Sequence, residues 1–209
     1  MFELKIKTIL LTLKDQFLSM RTILSFLFMV LVGPIFGQVW SKYDSTMKIG
    51  KAGYRIACLN RSPDRNVLNI RPVGFKSESR EASIEIRARV YGAEIDDLNN
   101  DGFPDIVIYI EDAAGKKSIF PICSQDNERI APILFPDILN DMEMSKGYRG
   151  KDEYKLVEGV LFRKFPVYPT DTAIKVPTNK MRQLMYRVVP GERDSWKFKM
   201  FKQFEFTAN

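Results

Sequence analysis

From residue 54 onward, apolar and polar residues alternate with a period of two through short runs at 54–59, 67–73 and 84–91, and apolar strand-like runs follow at 106–110 and 118–123. Alternation of this kind places one side of a half-buried β-strand toward a core and the other toward water. Turn residues separate the runs. Ser62-Pro63-Asp64 follows the first, and Asp112-Ala-Ala-Gly-Lys-Lys117 lies between the fourth and fifth, which therefore read as a hairpin. The pattern fades over 125–152, a stretch rich in Pro, Asp and Gly that reads as a long excursion with at most one helical turn near 136–140. Strands resume at 154–167, 181–189 and 196–206, the last two joined by the turn at 190–194. Residues 38–50 read as a polar lead-in, and no amphipathic helix of about ten residues stands out. These runs predict an all-β fold, an antiparallel β-sandwich of about eight strands occupying 38–209 as one domain.

The first 37 residues differ. Arg21 precedes the apolar run at 22–32, which ends in Gly33-Pro34 and reaches the small residue Gly37. A basic flank, a short apolar core and a small terminal residue predict a secretory signal peptide over 1–37, cut after Gly37 or Gln38, with Met20 as an alternative start. The apolar run is shorter than the ~20 residues that span a bilayer, so the mature chain is expected to be exported without stable membrane insertion. The leader holds four of the 32 basic and two of the 26 acidic residues, leaving 28 against 24 and a net charge of +4. Basic residues alternate with apolar ones, as in Ile84-Glu-Ile-Arg-Ala-Arg-Val90, which describes a solvated sheet face and argues against nucleic-acid binding.

The chain contains no histidine, which removes Ser-His-Asp triads, histidine-based zinc sites and a histidine base for a catalytic thiol. No phosphate-cradling glycine loop and no opposed carboxylate pair can be picked out, so no catalytic residue is assigned and the chain is not read as an enzyme. Its two cysteines, Cys58 and Cys123, both fall in strand-like runs. In an oxidising compartment they could form a disulfide closing a long loop, at ~3–4 kcal/mol of stabilisation, or they could be two buried thiols; the pattern leaves both readings open.

One short segment carries candidate metal chemistry. Residues 97–105 read Asp-Leu-Asn-Asn-Asp-Gly-Phe-Pro-Asp, in the spacing D-x-N-x-D-G-x-x-D. Asp97, Asn99, Asp101 and Asp105 could offer side-chain oxygens and Phe103 its carbonyl to a calcium ion, with Gly102 allowing the sharp turn. The apolar Ile108 at the twelfth position and the missing flanking helices set it apart from an EF-hand. The competing reading is an Asx-rich turn that hydrogen-bonds its own backbone ahead of a strand. A single copy without tandem repeats favours the turn, with calcium an optional stabiliser and no cofactor required.

Several separated motifs occur in an ordered series: Gly92-Ala-Glu-Ile-Asp-Asp-Leu-Asn-Asn-Asp-Gly-Phe-Pro-Asp-Ile-Val-Ile-Tyr109, Gly147-Tyr-Arg-Gly-Lys-Asp-Glu-Tyr154, Arg163-Lys-Phe-Pro-Val-Tyr168, Met181-Arg-Gln-Leu-Met-Tyr186, and Val189-Pro-Gly-Glu192 with Trp196. Over about 45–200 this series resembles the bacterial periplasmic inhibitors of invertebrate-type lysozyme. The resemblance implies a small all-β protein of the bacterial envelope, periplasmic or secreted, that binds a lysozyme-type hydrolase and blocks its cleft with a loop. The stretch matching that loop is Glu111-Asp-Ala-Ala-Gly-Lys-Lys-Ser118, which makes Ala114, Gly115, Lys116, Lys117 and Ser118 the expected partner-binding residues. It is several residues shorter than the family's loop and lacks its Ser-Gly-x-x-Gly character and tyrosine, keeping Gly115 and Ser118.

Lysozyme-type clefts carry acidic catalytic groups, to which Lys116 and Lys117 could be paired by charge-assisted hydrogen bonds, although turn lysines are commonly only solvated. Tyr148, Phe165, Tyr168, Tyr186 and Trp196 read as core fillers, and Arg163 and Arg182 as structural partners of Asp152 or Glu153. Two other functions fit the same pattern: a calcium-stabilised envelope β-module that binds a glycan or surface protein without inhibiting lysozyme, and a peptidoglycan-active enzyme. A homodimer is compatible with all three.

Overall fold

The computed structural model describes residues 41–76 and 81–208, so the leader predicted at 1–37 lies outside the described residues. Among them run twelve strands: β1 (Tyr43–Ile49), β2 (Ala52–Cys58), β3 (Asn66–Val73), β4 (Ala82–Ile86), β5 (Arg89–Asp96), β6 (Asp105–Glu111), β7 (Lys117–Gln125), β8 (Arg129–Leu134), β9 (Glu153–Val157), β10 (Val160–Pro166), β11 (Lys180–Pro190) and β12 (Trp196–Thr207). A single 3-10 turn at Ile138–Asn140 is the helical turn expected in the excursion. The fold is all-β, as the alternation predicts.

Twelve strands stand where about eight are expected, for local reasons. The run at 84–91 is broken at Arg87-Ala88, where the chain passes from the four-stranded sheet to the other. The run at 154–167 is cut by a tight turn at Glu158-Gly159, both at positive φ. β1 is hidden by polar residues between Tyr43, Met47 and Ile49, and β8 by Pro132 inside a Pro-rich stretch.

Strands β1–β4 form an antiparallel meander. The other eight form one sheet in the order β5-β6-β7-β8-β12-β11-β10-β9, antiparallel except where β8 meets β12 through two parallel residue pairs, Ile133 with Trp196 and Leu134 with Lys197. The period-two pattern sorts β6 between two cores. Ile106 and Ile108 join Tyr54, Ile56, Leu68 and Ile70 of the meander, while Val107 and Tyr109 face Leu161, Leu184, Tyr186 and Phe198. Strand β6 is therefore buried on both faces, which explains its continuous apolar run. Each of these large side chains contributes about 1.5–3 kcal/mol on burial.

The eight-stranded sheet curls until its two edge strands, β5 and β9, come together. No strand ladder joins them. Glu94 of β5 instead accepts a hydrogen bond from the Leu156 amide at 2.7 Å and a short one from the Tyr109 hydroxyl, and Asp96 accepts from the Gly159 amide at 2.7 Å. The sheet is thereby a near-barrel with one core inside, and the meander packs on the outside of its β5–β8 half over the other core.

Candidate functional site

The acidic nonapeptide is a self-satisfied turn. Asp97 accepts from the amides of Asp101 and Gly102, Asn99 from the amide of Asp101, and Asp101 from the amide of Phe103, at 2.9–3.1 Å. Gly102 sits at φ +85°, a conformation costly for other residues. Asp105 is fully buried and accepts from Leu98 N at 3.0 Å and Ser124 N at 2.8 Å, tying the turn to the end of β7. Burial outweighs these donors, and with Asp101 and Asp97 nearby pushes its carboxyl up to about 7. The expected cation ligands are thus brought together around their own backbone amides, and among the described residues no cluster of three acidic or thiol side chains has metal-binding geometry.

The turn feeds β6, and β6 leads to the expected partner-binding hairpin. Asp112 builds the tip: its carboxylate accepts from the amides of Ala114 and Lys116 at 2.9 Å, and its backbone carbonyl accepts from Gly115 N. Ala114, Gly115 and Lys116 are exposed, whereas Lys117 and Ser118 are half-buried in β7. The two lysines part company. Lys117 lies over the Tyr91 ring at 5.5 Å, and Lys116 lines a groove.

The far wall of that groove is the segment at 147–151. Gly147 has φ +72°, and a Cβ there would stand 2.6 Å from the Tyr168 carbonyl, so only glycine permits this close approach. Arg149 donates to the carbonyls of Pro169, Asp171 and Ile174 and stacks over Tyr168, which fixes the loop without spending its charge on a carboxylate. Ala114, Gly115 and Lys116 on one side meet Tyr148, Arg149, Gly150 and Lys151 on the other, with Leu139 beside them, around about 500 Å³. Three cationic residues and no acidic one are in the lining of this groove. No protein-family model matches the chain, and no curated protein matches it.

In sequence, the second wall carries only a structural signature. Its signal, the pair of glycines around Tyr148-Arg149, is visible there, but its position opposite the hairpin arises from tertiary packing. What holds it is a buried network. Arg163 donates to Asp152 at 2.6 Å and to the Tyr148 hydroxyl at 2.9 Å, with the rings of Phe135, Tyr154 and Phe165 around its guanidinium. Burial and the Asp152 carboxylate push the Tyr148 hydroxyl up to about 12. Arg182 pairs with Glu205 at 2.6 Å rather than with Asp152 or Glu153, and it donates to the carbonyls of Met144 and Lys146. Glu205 is held below the usual carboxylate range by this arginine.

Cys58 and Cys123 are not brought together. Each is a buried free thiol, and they belong to different cores. Cys123 alternates with Ile122 on β7, so its side chain enters the near-barrel while Cys58 lies beneath the meander on the other side of the sheet. Burial raises the Cys123 thiol to about 12.

Proposed function

We propose that the protein is an exported binding protein that blocks the cleft of a lysozyme-type hydrolase, with the 112–117 hairpin as the inserting element and the 147–151 loop as a second contact. The observation that carries this reading is the groove where two motifs 30 residues or more apart converge, with Lys116, Arg149 and Lys151 and no acidic residue in its lining. A glycoside hydrolase cleft holds a pair of carboxylates. A cationic, preformed and loop-built surface complements such a cleft in charge, and long-range attraction speeds the encounter. Gly115 and the short Ala113-Ala114 side chains make the tip narrow enough to enter a substrate groove. The action is steric, so no cofactor or catalytic residue is called for.

The resemblance in sequence motifs supports an invertebrate-type lysozyme as the partner and the bacterial periplasm as the site of action. The test is the rate at which such a lysozyme clears a cell-wall suspension with and without the protein. Inhibition that disappears when 114–118 are replaced supports the reading; undiminished lysis at saturating protein overturns it.

A further inference from the structure

The near-barrel has an outer face on β11 and β12, away from the 112–117 hairpin and the 147–151 loop. A bulge between Met185 and Tyr186 shifts the register of β11 against β12, so that Tyr186 opposes Met200 but Met185 opposes Lys202. Beyond it, Leu184 and the buried Arg182 point inward, opposite Gln203 and Glu205. Alternation then sends Phe204, opposite Gln183, and Phe206, opposite Met181, outward. Phe201 lies at the bulge on the same side, under the Arg187 guanidinium at 4.7 Å. These three phenylalanines remain 38–47% exposed, and the rings of Phe204 and Phe206 lie 6.1 Å apart. Grouped exposed aromatics of this size mark a docking surface.

The charge around them selects the occupant. Lys199 and Lys202 on the same strand have no carboxylate within ion-pairing distance among the described residues, and Arg187 covers a ring instead. An apolar centre with an unneutralised basic rim disfavours a second copy of itself, since like charges would face each other across the contact. The place of β12 between β8 and β11 inside the sheet also works against strand-to-strand pairing with a copy. The apolar centre and its basic rim suit an anionic bilayer surface, where aromatic rings enter the interface and each lysine near the headgroups adds about 1 kcal/mol. From these observations we infer that the outer face of β11–β12, centred on Phe201, Phe204 and Phe206, docks the protein reversibly on anionic membranes.

The test is co-sedimentation of the protein with vesicles of phosphatidylglycerol, compared with phosphatidylcholine. Binding is expected to phosphatidylglycerol only and to fall as salt screens the lysines. Lys199→Glu with Lys202→Glu should weaken it roughly tenfold or more, since two positive charges are lost and two negative ones gained. Phe204→Ser with Phe206→Ser should weaken it as well, and the charge variant keeps the test valid if the aromatic one misfolds. No binding to phosphatidylglycerol vesicles, binding unchanged by the charge variant, or a solution dimer abolished by the Phe204 and Phe206 changes would each overturn the inference.

Discussion

Arg163 reaches Asp152 across β10 and the start of β9 at 2.6 Å, with side-chain exposures of 5% and 0%. A pair this dry is held by its geometry, since each charge has given up its water. Removing one partner therefore costs more than the pair itself is worth. Asp152→Ala should lower unfolding free energy by about 3–5 kcal/mol. The double change Asp152→Ala with Arg163→Met should recover much of that loss, which urea denaturation of the three proteins would show.

Arg182 works differently, because beside its pairing with Glu205 its Nη1 donates to the carbonyls of an irregular segment. Arg182→Met should leave the barrel folded while freeing 141–148, so amide exchange there should rise well above that of β11. Arg182→Lys should restore little of this protection, since an ammonium lacks the planar fork that reaches Glu205 and two carbonyls together.

Asp105 gives the protein an inverted acid response. Its carboxyl ordinarily titrates near 3.8 and in the fold near 7, so between these values the folded state binds the proton that the unfolded chain has released. Its contribution to stability is complete below the lower value and is lost as pH rises through the upper one. Denaturation midpoints should therefore fall between about pH 5 and pH 7.5, and in Asp105→Asn this fall should flatten.

The thiols give a check on the two cores. Neither Cys58 nor Cys123 should react with an aromatic disulfide reagent in the native protein, and two should react in denaturant. A native-state disulfide, seen as a mass two daltons lower, would contradict the separation of Cys58 and Cys123 by the β5–β8 sheet.

The strands were legible in the sequence where alternation was strong, as in β3, because burial of one face imposes the period directly, and β6 was legible as a continuous apolar run because both its faces are buried. β1 and β8 escaped because Asp44, Ser45 and Thr46 dilute one pattern and Pro132 interrupts the other. The hairpin at 112–117 was equally plain, since its turn residues are contiguous. Its partner wall was not: Lys116 and Lys151 meet only because Asp152 is pinned by Arg163 and Gly147 is pressed onto Tyr168, contacts between residues well separated along the chain. The curling of the eight-stranded sheet was hidden for the same reason, as it rests on two carboxylates, Glu94 and Asp96, capping amides more than 60 residues away.

The cationic groove is best tested by titrating the protein calorimetrically into an invertebrate-type lysozyme, alongside Lys116→Glu and Lys151→Glu. A one-to-one complex is expected that weakens about tenfold or more with either substitution and weakens further with salt. Tight binding indifferent to both substitutions, or no binding by the unaltered protein, would contradict the proposed function.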